Sequence, residues 1–581
     1  MSYRIGASRI EITPDIADAV LVGWGKATHQ AKAVATPLYA RAVAIEGADG
    51  KRLVMVCLDL CFITEALRAA VIERAGLSDS ELMISATHTH SAPGAISTYV
   101  VYVLPSSGIV PELLNHYADG AAQAIQEAIR KLRSGTIRFA SGEFPTDQPV
   151  AFNRAVRAYN RNPEVEKVSR KSRHLAVDRE MTLLRFDADD GTPIASWNWF
   201  PVHGTSMHSD RNAIHSDNKG LAAEGLEARL ASDGVSDFVA VFAQGAAGDV
   251  SPNFRYYRGL SEKRGAFRDD EASCRLNASL QCDRAYSLFQ QAQTAVPLDS
   301  RVQTAFEFHH FGDMGVAPDF VQGRQGVRTG PGELSCSMLR GTREGRGVSG
   351  FGVRALEIFV LLSQLLRFRW PFREHPVQGN KITSMQTGTS RIFGYARIDR
   401  MPIPDWVDPF IARVKRWARE GLMKQRPHTP QILPIQIARL GSLIIGAVPA
   451  EFTTIAGKRL RKTLERAFWS EGSTRAIVQG YANAYAGYVV TPDEYPQQGY
   501  EAGCTHFGRW TLPAYLTVFR ELSRKMITEE ALSSLRPLPP SREYVSALTC
   551  RSSSRRLSEV IAAKSTQEGS EQMTTEVSKA R

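Results

Sequence analysis

Short apolar runs alternate with amphipathic stretches over the first 250 residues, the pattern of an α/β domain whose sheet is largely buried. Arg52–Leu60 (RLVMVCLDL), Leu82–His88 (LMISATH), Ile194–His203 (IASWNWFPVH) and Phe238–Gln244 (FVAVFAQ) read as strands, each running straight into polar residues. In open α/β sheets ligands gather beyond strand ends, so those polar residues are the first candidates for chemistry. The pattern loosens into Gly-rich loops at Gly323–Gly332 and Gly341–Gly352, suited to the border of a site. Regular patterning resumes at Ile432–Val448, and an amphipathic helix is expected at Leu512–Ile527. The run Ala355–Trp370 is apolar but interrupted by Glu357, Ser363, Gln364 and Arg367, and is too short for a membrane span. It fits either a partly buried core helix or a helix lying in a lipid interface.

The pattern therefore predicts one large catalytic domain over 1–530, with a mixed, mostly buried β-sheet flanked by helices. A Ser-, Glu- and Lys-rich tail at 531–581 is expected to be disordered. A chain of 581 residues with 43% hydrophobic and 23% charged residues excludes a fibrous or wholly disordered protein. The net charge of +11 comes without any nucleic-acid-binding motif, which favours a basic face toward anionic lipid over nucleic-acid recognition. Seven cysteines in an odd set without paired spacing imply no disulfide framework. The first residues enter a strand pattern without an apolar leader, so a cytoplasmic location is expected.

Thr87-His88-Thr89-His90 closes a strand, and residues two apart on a strand share a face, so the two imidazoles are expected to converge. His203 repeats that placement, whereas His208 and His215 lie farther along a polar loop where exposure is expected. Gly248-Asp249-Val250-Ser251-Pro252-Asn253 can present a hydroxyl, or can simply be a capped turn. Glu451 follows the apolar run Gly441–Val448, where its carboxylate could complete a histidine-rich zinc sphere or occupy the first turn of a helix. Tyr481, Tyr485, Tyr488, Tyr495 and Tyr500 form an aromatic-rich segment compatible with plain packing.

Taken in order, SATHTHSAPG (85–94), FNRAVRAYNRNP (152–163), NWFPVHGTSM (198–207), SDNKG (216–220), GDVSPN (248–253), VPAEFTT (448–454) and YAGYVVTPDEY (485–495) resemble the neutral, non-lysosomal ceramidase family. The resemblance runs from about Ile5 to Ile527 and implies hydrolysis of ceramide to a sphingoid base and a fatty acid at one zinc ion per chain. It assigns His88, His203, Glu451 and Tyr488 as metal ligands. It also assigns His90, Arg154 and Tyr500 to the reacting amide and Ser251 to catalysis, by attack or by positioning. A lipid substrate follows from the same resemblance, as does a secreted or membrane-associated location; peripheral contact with an anionic membrane is expected from the chain's basic charge.

The chain departs from the family's pattern at Gly245-Ala246-Ala247, where an asparagine is usual, and at Ala155-Val156. The carboxyl-terminal immunoglobulin-like domain of many members is not expected here. Three alternatives stand beside the ceramidase reading: a zinc amidase acting on another N-acyl lipid or acylated amine, a metal-free serine hydrolase using Ser251, Asp249 and a histidine, and a catalytically silent lipid-binding relative.

Overall fold

In the computed structural model, residues 2–15, 19–106, 108–347, 350–366, 375–389, 391–392, 396–400, 404–406, 409–472 and 475–549 are described. Eight strands, β1 (Tyr3–Glu11), β2 (Tyr39–Glu46), β3 (Arg52–Leu58), β4 (Leu82–Ala86), β5 (Arg133–Glu143), β6 (Glu180–Ala188), β7 (Pro193–Trp199) and β8 (Val239–Ala243), form one sheet. Their order is β8-β7-β6-β5-β1-β2-β3-β4. A second sheet, β9 (Val302–His310), β10 (Ile432–Leu440), β11 (Leu443–Ala447) and β12 (Arg475–Gln479), takes the order β9-β10-β11-β12. The expected α/β class, with its mixed and mostly buried sheet, is what the chain adopts.

Both sheets contribute to one core, in which Tyr3, Ile5, Met55, Trp197 and Val241 pack with Leu440, Ile445 and Ile477. Strands buried this thoroughly read as nearly continuous apolar runs, the reason they stood out in the sequence. Helices α1 (Glu65–Ala75) and α2 (Pro111–Arg130) pack beside β1 to β4, α3 (Asp217–Ser232) and α4 (Asp270–Ala292) beside β5 to β8, and α6 (Thr454–Ala467) and α7 (Thr511–Thr528) beside the second sheet. Between them in sequence lies α5 (Gly350–Leu366).

Within these two sheets three strand pairs are parallel: β3 with β4, β7 with β8, and β11 with β12. Each pair is joined by a crossover helix, α1, α3 and α6 respectively, as parallel pairing requires. His88 and His90 follow β4, His203 follows β7, Ser251 follows β8, Glu451 follows β11 and Tyr488 follows β12. The first sheet also curls so that its edges approach, with Gln244 Nε2 just past β8 donating to Thr87 O just past β4 at 2.9 Å.

The regularly patterned run Ile432–Val448 is a hairpin, in which Gly441 turns the chain with φ +57 between β10 and β11. The stretch expected to be disordered from 531 carries a further helix, α8 (Arg542–Leu548), capped by Ser541 and anchored by buried Tyr544 and Leu548 against Trp417 and Met423. Two apolar anchors one turn apart suffice to dock a short helix; residues 550–581 lie outside the described residues.

Candidate active site

The strand argument for His88 and His90 is replaced by a turn. β4 stops at Ala86, and His88 has φ +69, an uncommon conformation for a residue with a side chain. This strained turn brings the Nε2 atoms of His88 and His90 to 3.1 Å. His90 N donates to Gly204 O at 3.0 Å, which ties this turn to the loop carrying His203. A Cβ on Gly204 would sit 2.5 Å from His88 O, so the close approach of the two loops needs glycine there.

His88 and His203 are oriented from behind. His88 Nδ1 donates to Cys61 O at 2.6 Å and His203 Nδ1 to Val250 O at 2.8 Å. In the neutral tautomers these bonds select, both Nε2 atoms carry lone pairs. They face Glu451 Oε2, His203 at 3.1 Å and His88 at 3.6 Å. Three acceptors pointed at one another with no proton between them is a repulsive arrangement unless a cation fills the gap. Two donors on a tetrahedral zinc, each about 2.0–2.1 Å from the metal, stand about 3.3 Å apart, which matches these separations.

Glu451 is held by Tyr481 and Tyr485, whose hydroxyls donate to its two oxygens. Burial raises its pKa, but the neighbouring His88 and His203 outweigh that and hold the carboxyl near 2. A parallel pairing aligns Glu451 with Tyr488, whose hydroxyl lies 3.5 Å from His203 Nε2. A second group, Cys61, His88 and His90, also has metal-binding spacing. Burial there pushes the Cys61 thiol far up, and His88 Nδ1 already serves Cys61 O, so this group fits a metal poorly.

Arg154 occupies the other side. Its Nε donates to Glu501 at 2.9 Å, Nη1 to Glu344 at 2.8 Å, and Nη2 to Gly248 O at 2.8 Å and Tyr488 Oη at 3.0 Å. Four of the five guanidinium protons are thus committed and one is left for a ligand. Tyr500 completes this wall, edge-on to Tyr488 with ring centroids 5.5 Å apart. Gly248 allows the approach, since a Cβ there would lie 2.7 Å from Glu451 O.

Ser251 Oγ–H donates to Glu344, which also accepts from Asn253 Nδ2 at 3.0 Å and contacts Arg154. Burial raises the Glu344 pKa, but Arg154 dominates and keeps the carboxyl below its ordinary value. Asp249 turns away, accepting from Asn153 Nδ2 at 2.7 Å and from the Thr454 backbone and hydroxyl at 2.8 Å each, at the start of α6. The Ser251-Asp249-histidine arrangement of a serine hydrolase is therefore not formed. His208 and His215, expected in solvent, are fully buried instead, 3.2 Å from Asp270 and 3.1 Å from Glu271 respectively. His208 Nε2 donates to Lys263 O at 2.8 Å and His215 Nε2 to Glu271, so both rings are engaged away from the site.

All eight residues singled out from sequence converge: His88, His90, His203, Glu451 and Tyr488 around one point, Arg154, Tyr500 and Ser251 beside it. Glu344 was missed because it sits in an irregular Gly- and Arg-rich loop, and Glu501 because it was passed over for the adjacent Tyr500. Tyr481 and Tyr485 were visible only as packing.

A profile for the neutral/alkaline non-lysosomal ceramidase family, N-terminal part, matches residues 3–396 and 417–517. The chain belongs to this family. It is 31% identical over 533 residues to the neutral ceramidase of Pseudomonas aeruginosa, covering 90% of this chain and 72% of that protein. With the neutral ceramidase of Mycobacterium tuberculosis it shares 28% identity over 553 residues, covering 93% and 79%. Among solved structures, a ceramidase complexed with C2 superposes with a TM-score of 0.76 at 28% identity, covering 95% of this chain and 78% of the other. The crystal structure of the Pseudomonas aeruginosa enzyme gives 0.72 at 28%, covering 93% and 77%. The chain is a ceramidase-like amidohydrolase with a candidate metal site.

Buried histidines and buried carboxyls oppose one another in the pH response of the metal-free protein. Burial lowers His88 and His29 to about 4 and His506 to about 3. On acidification the unfolded chain takes up protons at the ordinary value of about 6.5 while the folded chain does not, so the histidine contribution to stability falls with pH below 6.5; burial raises Glu65 and Glu494 to about 7, and these two add stability as pH falls through that value. Glu451, depressed to about 2, adds loss in the same direction as the histidines below its ordinary range. Relative to the parent, metal-free His506→Gln is expected to show a smaller fall, or a larger rise, of the urea midpoint between pH 7.5 and pH 5; an unchanged difference contradicts the assignment for His506.

Proposed function

We propose that this chain is a zinc-dependent ceramidase, hydrolysing the amide bond of N-acylsphingosine to a sphingoid base and a free fatty acid. The observation that carries the reading is the unprotonated face shared by His88 Nε2, His203 Nε2 and Glu451 Oε2, with Tyr488 beside it. One zinc ion per chain suits this donor set. Zinc held there supplies Lewis acidity toward a carbonyl and acidifies water.

The chain's own groups have separable tasks. With the His88 lone pair engaged, His90 Nε2–H is released from its 3.1 Å contact and can donate to the amide oxygen. The remaining Arg154 proton adds a second donor to the developing oxyanion. Glu344 holds the Ser251 hydroxyl and can take its proton, so Ser251 serves either as nucleophile or as an anchor for the substrate. Tyr500, against Tyr488 and Arg154, lines the approach and excludes water.

Incubation of purified protein with short-chain N-acylsphingosine, followed by quantification of both products, tests the reading. Equal release of fatty acid and sphingoid base, abolished by a chelator and restored by zinc, is expected. Turnover that survives metal removal sinks the zinc mechanism, and activity confined to other N-acyl amines sinks the substrate assignment.

Peripheral membrane contact is part of the same proposal. α5 buries Val353 and Val360 against Cys336 but leaves Phe351, Ile358 and Leu362 exposed along one edge. Its Glu357 pairs with Arg340 at 3.1 Å, beside the entrance to the site. No helix among the described residues is long and apolar enough to cross a membrane. An interfacial seat for α5 fits this half-buried pattern. Phe351→Asp with Leu362→Asp is expected to cut hydrolysis of vesicle-borne substrate at least about tenfold while sparing a dispersed short-chain substrate, since about 1.5–3 kcal/mol is at stake per large apolar side chain. Equal effects on both substrates would exclude the interfacial role.

A further inference from the structure

A cavity of about 660 Å³ opens directly onto the Arg154 and Tyr500 side of the site. Eight of its lining residues are Arg or Lys, and only Glu501 is acidic. Two of the cations are neutralised: Arg154 by Glu344 and Glu501, and Arg340 by Glu357. Among the described residues, no ion pair engages Arg157, Arg170, Arg173, Lys263, Arg343 or Arg346.

Lys263 is the most informative of them. It is only 6% exposed, lines the cavity, and its ammonium makes no hydrogen bond among the described residues. Its backbone N–H is fixed to Arg343 O at 2.9 Å and its carbonyl to His208 Nε2 at 2.8 Å, so the side chain is aimed by a rigid frame. Burial first, and then the charges of Arg173 and Arg343, depress it to about 8. Arg173 spends one guanidinium contact on Phe254 O and is itself depressed by burial and by Arg343. Like charges crowded around a largely buried ammonium destabilise the fold unless an anion joins them.

We propose that this cavity is a binding site for an anionic head group of the phosphate class carried by the N-acyl lipid substrate, held by Lys263, Arg173 and Arg343. The inference rests on the ceramidase reading for the reaction and adds the substrate's charge. The cavity's inner wall is Arg154 and Tyr500, which touch Tyr488 at the candidate metal site, so a group in the cavity and an amide at that site can belong to one molecule. The opposite side is the entrance beside α5. Arginine and lysine together suit a phosphate, through bidentate forks and a point charge respectively.

The product amines test this without relying on turnover. Binding of sphingosine 1-phosphate and of sphingosine to the metal-loaded full chain is measured by calorimetry below their aggregation concentrations, alongside inorganic phosphate. The phosphorylated amine is expected to bind at least about tenfold more tightly, the scale of one or two charge-assisted hydrogen bonds. Lys263→Met combined with Arg343→Gln is expected to remove that advantage and leave sphingosine binding unchanged. Inorganic phosphate is expected to bind weakly and to be displaced by the phosphorylated amine.

Equal binding of the two amines, or an advantage that persists in the double variant, overturns the proposal. So does a charge effect seen only on vesicles containing phosphatidylglycerol and never with dispersed lipid, which would make the patch a membrane-surface contact. Hydrolysis of N-acylsphingosine and its 1-phosphate, run in parallel, keeps failure of the ceramidase reading separate: loss of all turnover with the binding preference intact strikes the reaction and not this site.

Discussion

Glu451→Gln is expected to leave a folded protein that binds no zinc and hydrolyses N-acylsphingosine at about one-thousandth of the parent rate or less, the scale of losing a principal electrostatic stabiliser. Glutamine matches the size of glutamate; its amide oxygen still accepts from one of Tyr481 and Tyr485, and its amide nitrogen can donate to the hydroxyl oxygen of the other. It removes the negative charge that balances a dication between His88 and His203. Tyr485→Phe separates orientation from ligation: losing one outer-shell hydrogen bond lowers metal affinity by about 10–100-fold. Metal analysis by mass spectrometry and initial rates at saturating zinc distinguish the two. A Glu451→Gln protein that retains zinc and turnover contradicts the assignment.

The second large effect belongs to Arg154→Ala, expected to reduce kcat by about 10²–10³-fold and to destabilise the protein as well. Glu344 and Glu501 are both buried, and removing their common partner leaves two carboxylates without a counter-charge, a loss on the order of 3–5 kcal/mol for a buried pair. Arg154→Lys keeps the charge but not the fork that reaches Glu344, Glu501, Gly248 and Tyr488 together. It is expected to recover most of the stability and little of the rate. Stability and rate recovering in step would show that Arg154 is only a structural clamp. Glu344→Gln should combine non-additively with Arg154→Lys, because both act through one network.

The parts of this site that were legible in the sequence share a physical origin. His88, His203 and Glu451 each follow an apolar strand, and crossover-linked parallel strands deliver what lies past their ends to one region. The ordered family motifs then separated ligands from ordinary strand-end polar residues, which pattern alone does not do. The details that escaped are non-local. The left-handed turn at His88 replaces the expected strand geometry because Gly204 and Gln244 pin its flanks from distant segments. Glu344 has no periodic neighbours, and only its contacts with Ser251, Asn253 and Arg154 reveal it. The expected exposure of His208 and His215 failed because Asp270 and Glu271 on α4 cover that loop, a packing event that local polarity does not encode.

The helix at Ala355–Trp370 was equally open in sequence, and its described part resolves into a compromise: Val353 and Val360 are buried while Phe351, Ile358 and Leu362 are exposed. Its last residues, 367–370, lie outside the described residues. Part of the chain's basic character lines the cavity beside the candidate site, at Arg173, Lys263 and Arg343.

The central claim is that His88, His203 and Glu451 hold one catalytic zinc. Its most direct test is the zinc content of purified parent, His88→Ala and His203→Ala proteins at equal folded concentration, read together with N-acylsphingosine hydrolysis. The account predicts about one zinc per chain in the parent, as a single site of this donor set requires, and loss of both metal and activity in each variant. A parent that hydrolyses the substrate without bound metal, or variants that keep their zinc, would contradict it.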